Sequence, residues 1–212
     1  MTILTNSEAA LDKIREALDR FTLDVQPGET LVLALSGHGL KDKQGFYFAP
    51  VGLDPNRMTE TGLPWTEVLS RLERARKRAK AVWVLADTCR AAPGFARERI
   101  ASGEDLRRGV EEGGNLVICT ASSGDNPSYE SEELRHGIFT QAWLEALRGR
   151  GPEMVYEETP RGKVVTLSGL QFAVDYQVRQ HARKAGVRQR VEFPRLEGSF
   201  SPSAPVFVPV GR

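Results

Sequence analysis

The sequence has few cysteines, no long apolar run and almost no excess of charge of either sign. The only cysteines among its 212 residues are Cys89 and Cys119. With no Cys-x-x-Cys motif and no clustered Cys/His spacing, they exclude a disulfide scaffold and a zinc site and are interpreted as free thiols. No apolar stretch reaches the roughly 18 residues that a transmembrane helix needs, and the first twenty residues show no signal-peptide pattern. These absences predict a cytoplasmic protein without a membrane partner.

The charge balance argues against a nucleic-acid-binding module. Lysine and arginine together number 29, against 28 aspartate and glutamate residues, which gives a net charge of +1. A nucleic-acid module usually carries a clear basic excess, so no nucleic-acid partner is predicted. The hydrophobic share of 40% and the charged share of 27% are ordinary for a globular domain, and the length suffices for one core.

Three continuous apolar runs of strand length alternate with amphipathic helical patterns. We interpret the apolar runs as strands covered on both faces, as in a parallel sheet. The predicted strands are 30–36, 81–87 and 115–121. The predicted helices are 6–21, 65–80, 138–147 and 167–185, followed by a last short strand at 206–208. This alternation predicts an α/β fold with three layers, in which helices flank a mostly parallel central sheet.

Two reactive side chains follow the first two predicted strands. His38 lies two residues beyond the first strand, and Cys89 lies two residues beyond the second. Because sites in parallel sheets lie beyond the carboxyl ends of the strands, these side chains should come close together if the strands are neighbours. A histidine beside a cysteine activates the thiolate as a nucleophile and can protonate a leaving amine. The pair predicts peptide-bond hydrolysis through an acyl-enzyme.

Gly39 adds a third element to this candidate site. A glycine after the histidine lets the backbone approach a substrate, and the N–H groups of Gly39 and Cys89 would then bind the developing oxyanion. Other interpretations of the same residues stay open. His38 can be an incidental residue of a tight turn, and a cysteine at a strand end is often a small buried apolar residue.

The segments that carry these residues resemble motifs of the caspase/metacaspase superfamily. The matching segments are LSGHG (35–39), LADTCRAA (85–92), ICTASS (118–123), SYE (128–130) and HGIFT (136–140). The interval of about 50 residues from histidine to cysteine is that of caspases. Together the motifs are most similar to those of bacterial caspase-like proteins of the orthocaspase type.

The resemblance implies a caspase-like peptidase domain over residues 1–212. A part like the large subunit of caspases would occupy about 1–95, a linker about 96–114 and a part like the small subunit about 115–212. The implied activity is that of a cysteine endopeptidase acting on proteins or peptides, with Cys89 as nucleophile and His38 as general acid and base.

The residue two positions before the cysteine distinguishes this sequence from animal caspases, which carry Gln-Ala-Cys and bind aspartate through basic residues. Here Asp87 occupies that position, as in metacaspases and paracaspases. Since positions two apart in a strand face the same side, Asp87 and Cys89 would line one cavity, and a buried carboxylate there would favour arginine or lysine. Glu130 is positioned like the paracaspase glutamate that helps to bind arginine, and Asp125 is a further candidate.

Structural interpretations of these acidic residues remain open. Asp87 can cap the helix that follows it or pair with a nearby arginine, and Glu130 can be a solvated loop charge. Cys119 is predicted to be a core residue, while His136 and His181 are predicted to be structural or surface residues. The three tryptophans, Trp65, Trp83 and Trp143, are predicted to serve packing.

The resemblance also carries expectations about partners and cofactors. The family fold normally opens with a strand and a helix before the segment that begins here at Ile3, so the first sheet strand is expected to be absent and a further polypeptide is a candidate to supply it. Many metacaspases need calcium, which Glu130, Glu132 and Glu133 could bind weakly, although no EF-hand spacing is present. No other cofactor and no protein-bound metal is predicted.

The linker predicts self-processing, because relatives often cut themselves in this region. Its arginines Arg97, Arg99, Arg107 and Arg108 suit an enzyme that binds basic residues. Two other functions remain open: a catalytically idle caspase-like scaffold or interaction module of a larger protein, and a CHAT-type peptidase of the same clan. The absent strand favours the scaffold, whereas the presence of both His38 and Cys89 favours an enzyme.

Overall fold

A computed structural model describes most of the chain. It covers residues 1–89, 115–121, 128–131, 133–134, 136–148, 150, 156–159, 162–193 and 205–207. For positions 89, 156–159, 162–164 and 205–207 it describes the backbone alone. The predicted linker, its arginines and Asp125 lie outside these residues, so the division of the chain into two subunit-like parts stays a prediction.

The helices lie close to where the apolar periodicity predicts them. They are α1 (Leu11–Leu23), α2 (Met58–Thr61), α3 (Trp65–Arg76), α4 (Ile138–Leu147) and α5 (Leu167–Lys184), with a 3₁₀ turn at Asn6–Glu8. An ion-pair network joins α1 to α3: Arg15 donates to Glu67 Oε1 at 2.8 Å, and Arg71 donates to the same oxygen at 2.9 Å. Arg71 also donates to Asp19 of α1 at 2.7 Å. These ion pairs hold the facing surfaces of α1 and α3 together.

The strands form one central sheet and two smaller ones. They are β1 (Thr30–Lys41), β2 (Phe46–Phe48), β3 (Leu63–Pro64), β4 (Ala81–Cys89), β5 (Leu116–Thr120), β6 (Glu130–Ser131), β7 (His136–Gly137), β8 (Tyr156–Thr159), β9 (Gly162–Thr166) and β10 (Pro205–Phe207). The central sheet has the order β3-β2-β1-β4-β5, and the others are β10-β9-β8 and β6-β7. Strands β1, β4 and β5 are parallel neighbours, while β2 and β3 run antiparallel at one edge.

The side chains of β4 alternate between two cores, which creates the three layers. Val82 and Val84 pack in the core beneath α1 and α3, whereas Ala81 and Trp83 pack in the core beneath α4 and α5. Because successive side chains of a strand point to opposite faces, one buried strand contributes to both cores. The predicted three-layer α/β fold with helices on both sides of a mostly parallel sheet is confirmed.

Strand β1 departs from the prediction on one of its faces. Leu31 and Leu35 are buried beneath α1 and α3, but Val32 is 40% exposed and Ala34 and Ser36 are exposed as well. Among the described residues, the core beneath α4 and α5 includes side chains of β4 and β5 and none of β1. The expectation that this strand is covered on both faces is therefore wrong.

Strands β1 and β4 also extend further than predicted. β1 continues to Lys41, because Gly39 to Lys41 pair with β2. Gly37 has a φ of +152°, a conformation that residues with a side chain rarely adopt, and it precedes this change of pairing partner. The expectation that His38 and Cys89 follow strand ends is wrong, since both lie within strands. The end of an apolar run therefore does not mark the end of strand pairing in this sheet.

The short polar strands were not predicted. The hairpin of β8 and β9 and the β6-β7 ladder lack an apolar run, whereas the predicted last strand is found as β10. Among the described strands, β4 is the only one that pairs with residues 30–36 of β1. A further polypeptide that pairs with this edge stays a prediction.

Residues predicted to serve packing lie in the core. Trp65, Trp83 and Trp143 are buried, and Trp83 meets Trp143 edge to face with ring centroids 6.0 Å apart. Cys119 is fully buried, as predicted. His181 lies 2.9 Å from a carboxylate oxygen of Glu145, which joins α5 to α4. Within the described part of the chain, no helix has both the length and the apolar character needed to cross a membrane.

The core beneath α3 gives a direct test of the fold. We expect Leu72→Ala, which truncates a fully buried side chain of α3, to lower the free energy of unfolding by about 3 kcal/mol. The same change in Leu23, 63% exposed at the end of α1, should cost less than about 0.5 kcal/mol. Urea unfolding of both variants measures the difference, and equal losses would contradict this packing.

Candidate active site

Strands β1 and β4 bring His38 and Cys89 to directly opposite positions. Their parallel register pairs Ser36 with Asp87 and His38 with Cys89. Neighbouring strands lie about 4.8 Å apart, so the two backbones are adjacent. The expectation that these strands are neighbours is confirmed. His38 is exposed, the side chain of Cys89 lies outside the described part, and the catalytic roles of both residues stay predictions.

Gly39 lies where β1 changes its pairing partner from β4 to β2. It is paired with Phe48, and a Cβ at this position would come within 2.6 Å of the Phe46 ring and 3.2 Å of Thr88. Packing alone therefore requires glycine here, whether or not a substrate approaches. The proposed oxyanion donor at Gly39 stays a prediction, for which the residue type by itself is no evidence.

Asp87 is a buried carboxylate with both oxygens engaged. Only 6% of the residue is exposed. Its Oδ1 accepts a hydrogen bond from Ser128 Oγ at 2.9 Å, and its Oδ2 accepts one from Thr140 Oγ1 at 2.6 Å. The backbone N–H of Thr140 is a third donor to the carboxylate. These donors come from two different segments, so Asp87 links β4 to both of them.

Asp87 also caps α4. The N-cap residue of this helix is Gly137, which has no side chain to bind the free N–H groups of the first turn. Thr140 is the third residue of α4, and its N–H is the group that an N-cap side chain would bind. A Cβ on Gly137 would collide with Asp87 Oδ2, so the carboxylate occupies the space that a side chain at 137 would need. Asp87 thus caps α4, which begins at Ile138. The residues directly after β4 lie outside the described part of the chain, so a cap on the helix that follows Asp87 in sequence stays a prediction.

The surroundings of Asp87 are acidic. Burial raises the pKa of Asp87 above its usual range, hydrogen bonds from Thr140 and Ser128 oppose this rise, and the negative charge of Glu130 adds to it. Glu130 is exposed on β6 and is the register partner of Gly137, so both carboxylates flank the same glycine. Within the described part of the chain, no cation contributes to the pKa shift of Asp87. The described part of the chain therefore supplies hydrogen-bond donors, but no cation, to the carboxyl group of Asp87.

Gln189 fixes the segment that carries Ser128 and Glu130. It is 2% exposed, and its Nε2 donates to the carbonyl oxygen of Ala121 at 2.9 Å. Its Oε1 accepts a hydrogen bond from the N–H of Tyr129 at 3.1 Å. One buried amide thus holds Ala121 and Tyr129, which lie on the two sides of residues 122–127.

The roles of Ser128, Thr140 and Gln189 were not predicted from the sequence. Ser128 and Thr140 lie inside the segments SYE (128–130) and HGIFT (136–140), and these motifs were the available signal. Gln189 follows α5 in a polar stretch that gives no signal. His136 was expected to be structural or a surface residue; it lies on β7 beside Gly137, and its Nδ1 is buried without a hydrogen-bond partner among the described residues.

The described residues provide no set of side chains that would bind the expected calcium ion. Glu132 lies outside the described residues, and within those described no group of three or more His, Cys, Asp and Glu side chains is placed to hold a metal ion. Calcium dependence stays a prediction, and the proposed cysteine-peptidase reaction does not involve a metal.

The family model of the caspase domain, Peptidase_C14, matches residues 3–178. The chain belongs to the caspase domain family. The resemblance found in the sequence is thereby confirmed, and the orthocaspase type stays a prediction. The matched range of this caspase domain includes His38, Cys89, Asp87 and Glu130, whereas Gln189 lies beyond it.

A solved structure shows the same fold. The caspase domain is similar to the crystal structure of protein GSU0716 from Geobacter sulfurreducens, with a TM-score of 0.59 and 15% identity. The likeness covers 91% of this chain and 75% of that chain, and at this identity it concerns the fold alone. Among curated proteins, none matches the sequence.

The raised pKa of Asp87 predicts how stability depends on pH. Ionising this carboxyl costs more in the folded than in the unfolded chain, so the folded state binds its proton more tightly. We expect the stability of the parent, relative to Asp87→Asn, to be greatest below the usual aspartate pKa of about 4 and to fall as the pH rises to the folded-state value. Urea unfolding across this pH range, in a Cys89→Ala background, measures the slope.

A control and a contrary outcome complete this experiment. Asp12→Asn makes the same chemical change on an exposed position of α1 and is the control against which the slope is compared. A parent protein that gains stability over Asp87→Asn with rising pH would contradict the assignment, because the sign of the effect would be reversed.

Proposed function

We propose that the protein is a cysteine endopeptidase that cleaves peptide bonds after arginine or lysine. Membership in the caspase domain family supports the class of reaction. The register that sets position 89 opposite His38 carries the proposal, because without it a thiol and an imidazole could not act on one peptide bond. The burial of Asp87 without a contributing cation among the described residues, and the negative charge of Glu130 nearby, support the choice of a basic substrate residue.

The acylation step uses Cys89 and His38. The Cys89 thiolate attacks the carbonyl carbon of the scissile bond, and the N–H groups of Gly39 and Cys89 stabilise the resulting oxyanion. His38 then transfers a proton to the leaving amine as the carbon–nitrogen bond breaks. The amine product leaves, and the acyl group remains on the sulfur as a thioester.

The deacylation step uses the same two residues. His38 accepts a proton from water, whose oxygen attacks the thioester carbonyl carbon. The carbon–sulfur bond breaks, the carboxyl product leaves, and the thiol and imidazole together regain their starting protonation. The exposure of His38 gives water access to the imidazole.

The basic specificity follows from the cost of burying Asp87. A buried carboxylate without a cation is destabilised, and a guanidinium or ammonium group beside it favours the charged form. Arginine suits this site best, because its planar group presents several donors to one carboxylate. Glu130 lies exposed on the other side of Gly137 and adds long-range attraction for the same cation.

A catalytically idle scaffold is the second candidate function. It is favoured by the finding that Asp87 and Gly39 both have packing roles that require no substrate. A CHAT-type peptidase of the same clan would share the mechanism and differ in its partner and activation.

The nucleophile is tested by removing each thiol in turn. We expect Cys89→Ala to lower kcat/KM for peptides ending in arginine or lysine by at least about a thousandfold, since the covalent step is lost. Cys119→Ala, which removes the buried thiol of β5, should retain the activity. Fluorogenic peptides that differ only in the residue before the scissile bond measure both rates.

Three outcomes discriminate among the proposals. Cleavage after aspartate in preference to arginine would contradict the specificity and spare the peptidase. Equal activity of the Cys89→Ala variant and the parent would exclude Cys89 as nucleophile. A parent that cleaves no peptide and leaves Cys89 unlabelled by a thiol-reactive peptide inhibitor would favour the scaffold.

Self-processing in the predicted linker tests the same specificity on the chain itself. We expect the parent, but not the Cys89→Ala variant, to be cut after one or more of Arg97, Arg99, Arg107 and Arg108. Mass spectrometry after prolonged incubation identifies the cut ends. Identical intact masses for both proteins would contradict this expectation.

A further inference from the structure

The Thr140 side chain contacts Asp87 at the carboxylate oxygen that lies beside Gly137. Its hydroxyl is 2.6 Å from Oδ2, and its backbone N–H also donates to the carboxylate. Any residue except proline would supply the N–H, but only a hydroxyl side chain of similar length supplies the second bond. The identity of residue 140 therefore matters for one specific contact.

We propose that Thr140 is a positioning residue for substrate recognition, whose hydroxyl keeps the Asp87 carboxylate charged and fixed in the orientation in which it binds a basic substrate side chain. This inference rests on the proposed function of Asp87 and extends it to a residue that does not itself touch the substrate. Ser128 acts in the same way on Oδ1, at 2.9 Å.

The physical argument starts from the burial of Asp87. Burial is the largest influence and raises the pKa of Asp87, and the Thr140 hydroxyl has the largest opposing effect, ahead of Ser128. A hydrogen bond to the charged form favours that form. Without the hydroxyl, more of the protein would carry a neutral Asp87 at a given pH, and a neutral carboxyl attracts a guanidinium weakly.

The orientation of the carboxylate depends on the same contacts. Gly137 leaves room for Oδ2, Thr140 binds that oxygen, and Ser128 binds the other one. Donors on both oxygens fix the rotation of the carboxylate plane, which sets the direction of the lone pair that remains free to accept from a substrate cation. Removing one donor releases that rotation as well as the charge.

Within the described part of the chain, the other titratable groups near Asp87 are the same in every variant of residue 140. They are Glu130 on β6, His136 on β7, Cys119 on β5 and His38 on β1. Glu130 opposes ionisation of Asp87, and burial raises the pKa of the Cys119 thiol well above its usual range. None of these groups is altered in the experiment, so a change in the behaviour of Asp87 comes from the hydroxyl that is removed.

The kinetic test compares two peptides that differ by one charge. We divide kcat/KM for an arginine peptide by kcat/KM for the matching citrulline peptide. The titrations of Cys89 and His38 affect both peptides equally, so their contributions to the pH profile cancel in this ratio. We expect Thr140→Val to lower this ratio about tenfold near neutral pH, and the ratio to recover as the pH is raised towards about 9. Thr140→Ser should keep the parent ratio, because serine retains the donor.

Thr166→Val is the matched control for the loss of a buried threonine hydroxyl. Thr166 caps α5, with its Oγ1 accepting from the N–H of Gly169 at 3.2 Å, so its replacement also removes a buried hydroxyl at a helix start. The ratio should stay at the parent value in this variant. A fall as large as that of Thr140→Val would assign the effect to general destabilisation and overturn the proposal.

A second measurement needs no substrate. Carbon NMR of the aspartate carboxyl groups in Cys89→Ala protein follows the titration of Asp87, whose signal is identified by its loss in Asp87→Asn. We expect Thr140→Val to move the midpoint to higher pH and Thr140→Ser to leave it in place. If Thr140→Val does not fold, Ser128→Ala removes the donor on the other oxygen and should move the midpoint in the same direction.

The outcomes separate this inference from the proposed function. An unchanged midpoint in Thr140→Val overturns the inference, and so does a shifted midpoint with an unchanged arginine-to-citrulline ratio. A parent protein that cleaves neither peptide contradicts the proposed function, and the recognition role of Thr140 falls with it. The NMR titration would then still show whether its hydroxyl holds the charge on Asp87.

Discussion

The buried carboxylate of Asp87 connects the parallel sheet to the second half of the chain. It follows the apolar run of β4 and accepts three hydrogen bonds from Ser128 and Thr140. It also caps the first turn of α4 in place of the side chain that Gly137 lacks. Since a buried charge is tolerated only where donors surround it, the strand, the segment at 128 and the helix start must assemble together. The position of Glu130 next to the same glycine follows from this arrangement.

Much of the fold was predictable because its signals are local. The helix 138–147 was predicted with the bounds that the structure has, since its apolar positions recur at helical spacing. Strands β4 and β5 were predictable because residues that face two cores leave no polar position in the run. Strand β1 has a similar apolar run although one of its faces is exposed. Strands β1 and β4 are adjacent, which brings position 89 beside His38. This adjacency was inferred from the general rule that sites in parallel sheets lie beyond the carboxyl ends of the strands, and no particular residue in the sequence indicates it.

The rest of the site depends on contacts between residues distant in sequence. The hydrogen bond from Thr140 to Asp87 spans 53 positions, and that from Gln189 to Ala121 spans 68. Neither donor differs in type from many exposed threonines and glutamines. The extension of β1 beyond Ser36 was missed because its pairing with β2 uses backbone groups, which every residue but proline supplies. One face of β1 is exposed because no described helix packs against it. The apolar run alone does not indicate whether a helix covers each face of the strand.

Under the proposed function, the capping contact of Asp87 couples the stability of α4 to the choice of substrate. A redesign that aimed to accept acidic residues would place a cation at position 87, as a simple charge reversal. That cation would face the positive end of the helix dipole and leave the Thr140 N–H without an acceptor. Altered preference in this protein would therefore require a new first turn of α4, with a capping side chain in place of Gly137, before the charge at position 87 could change.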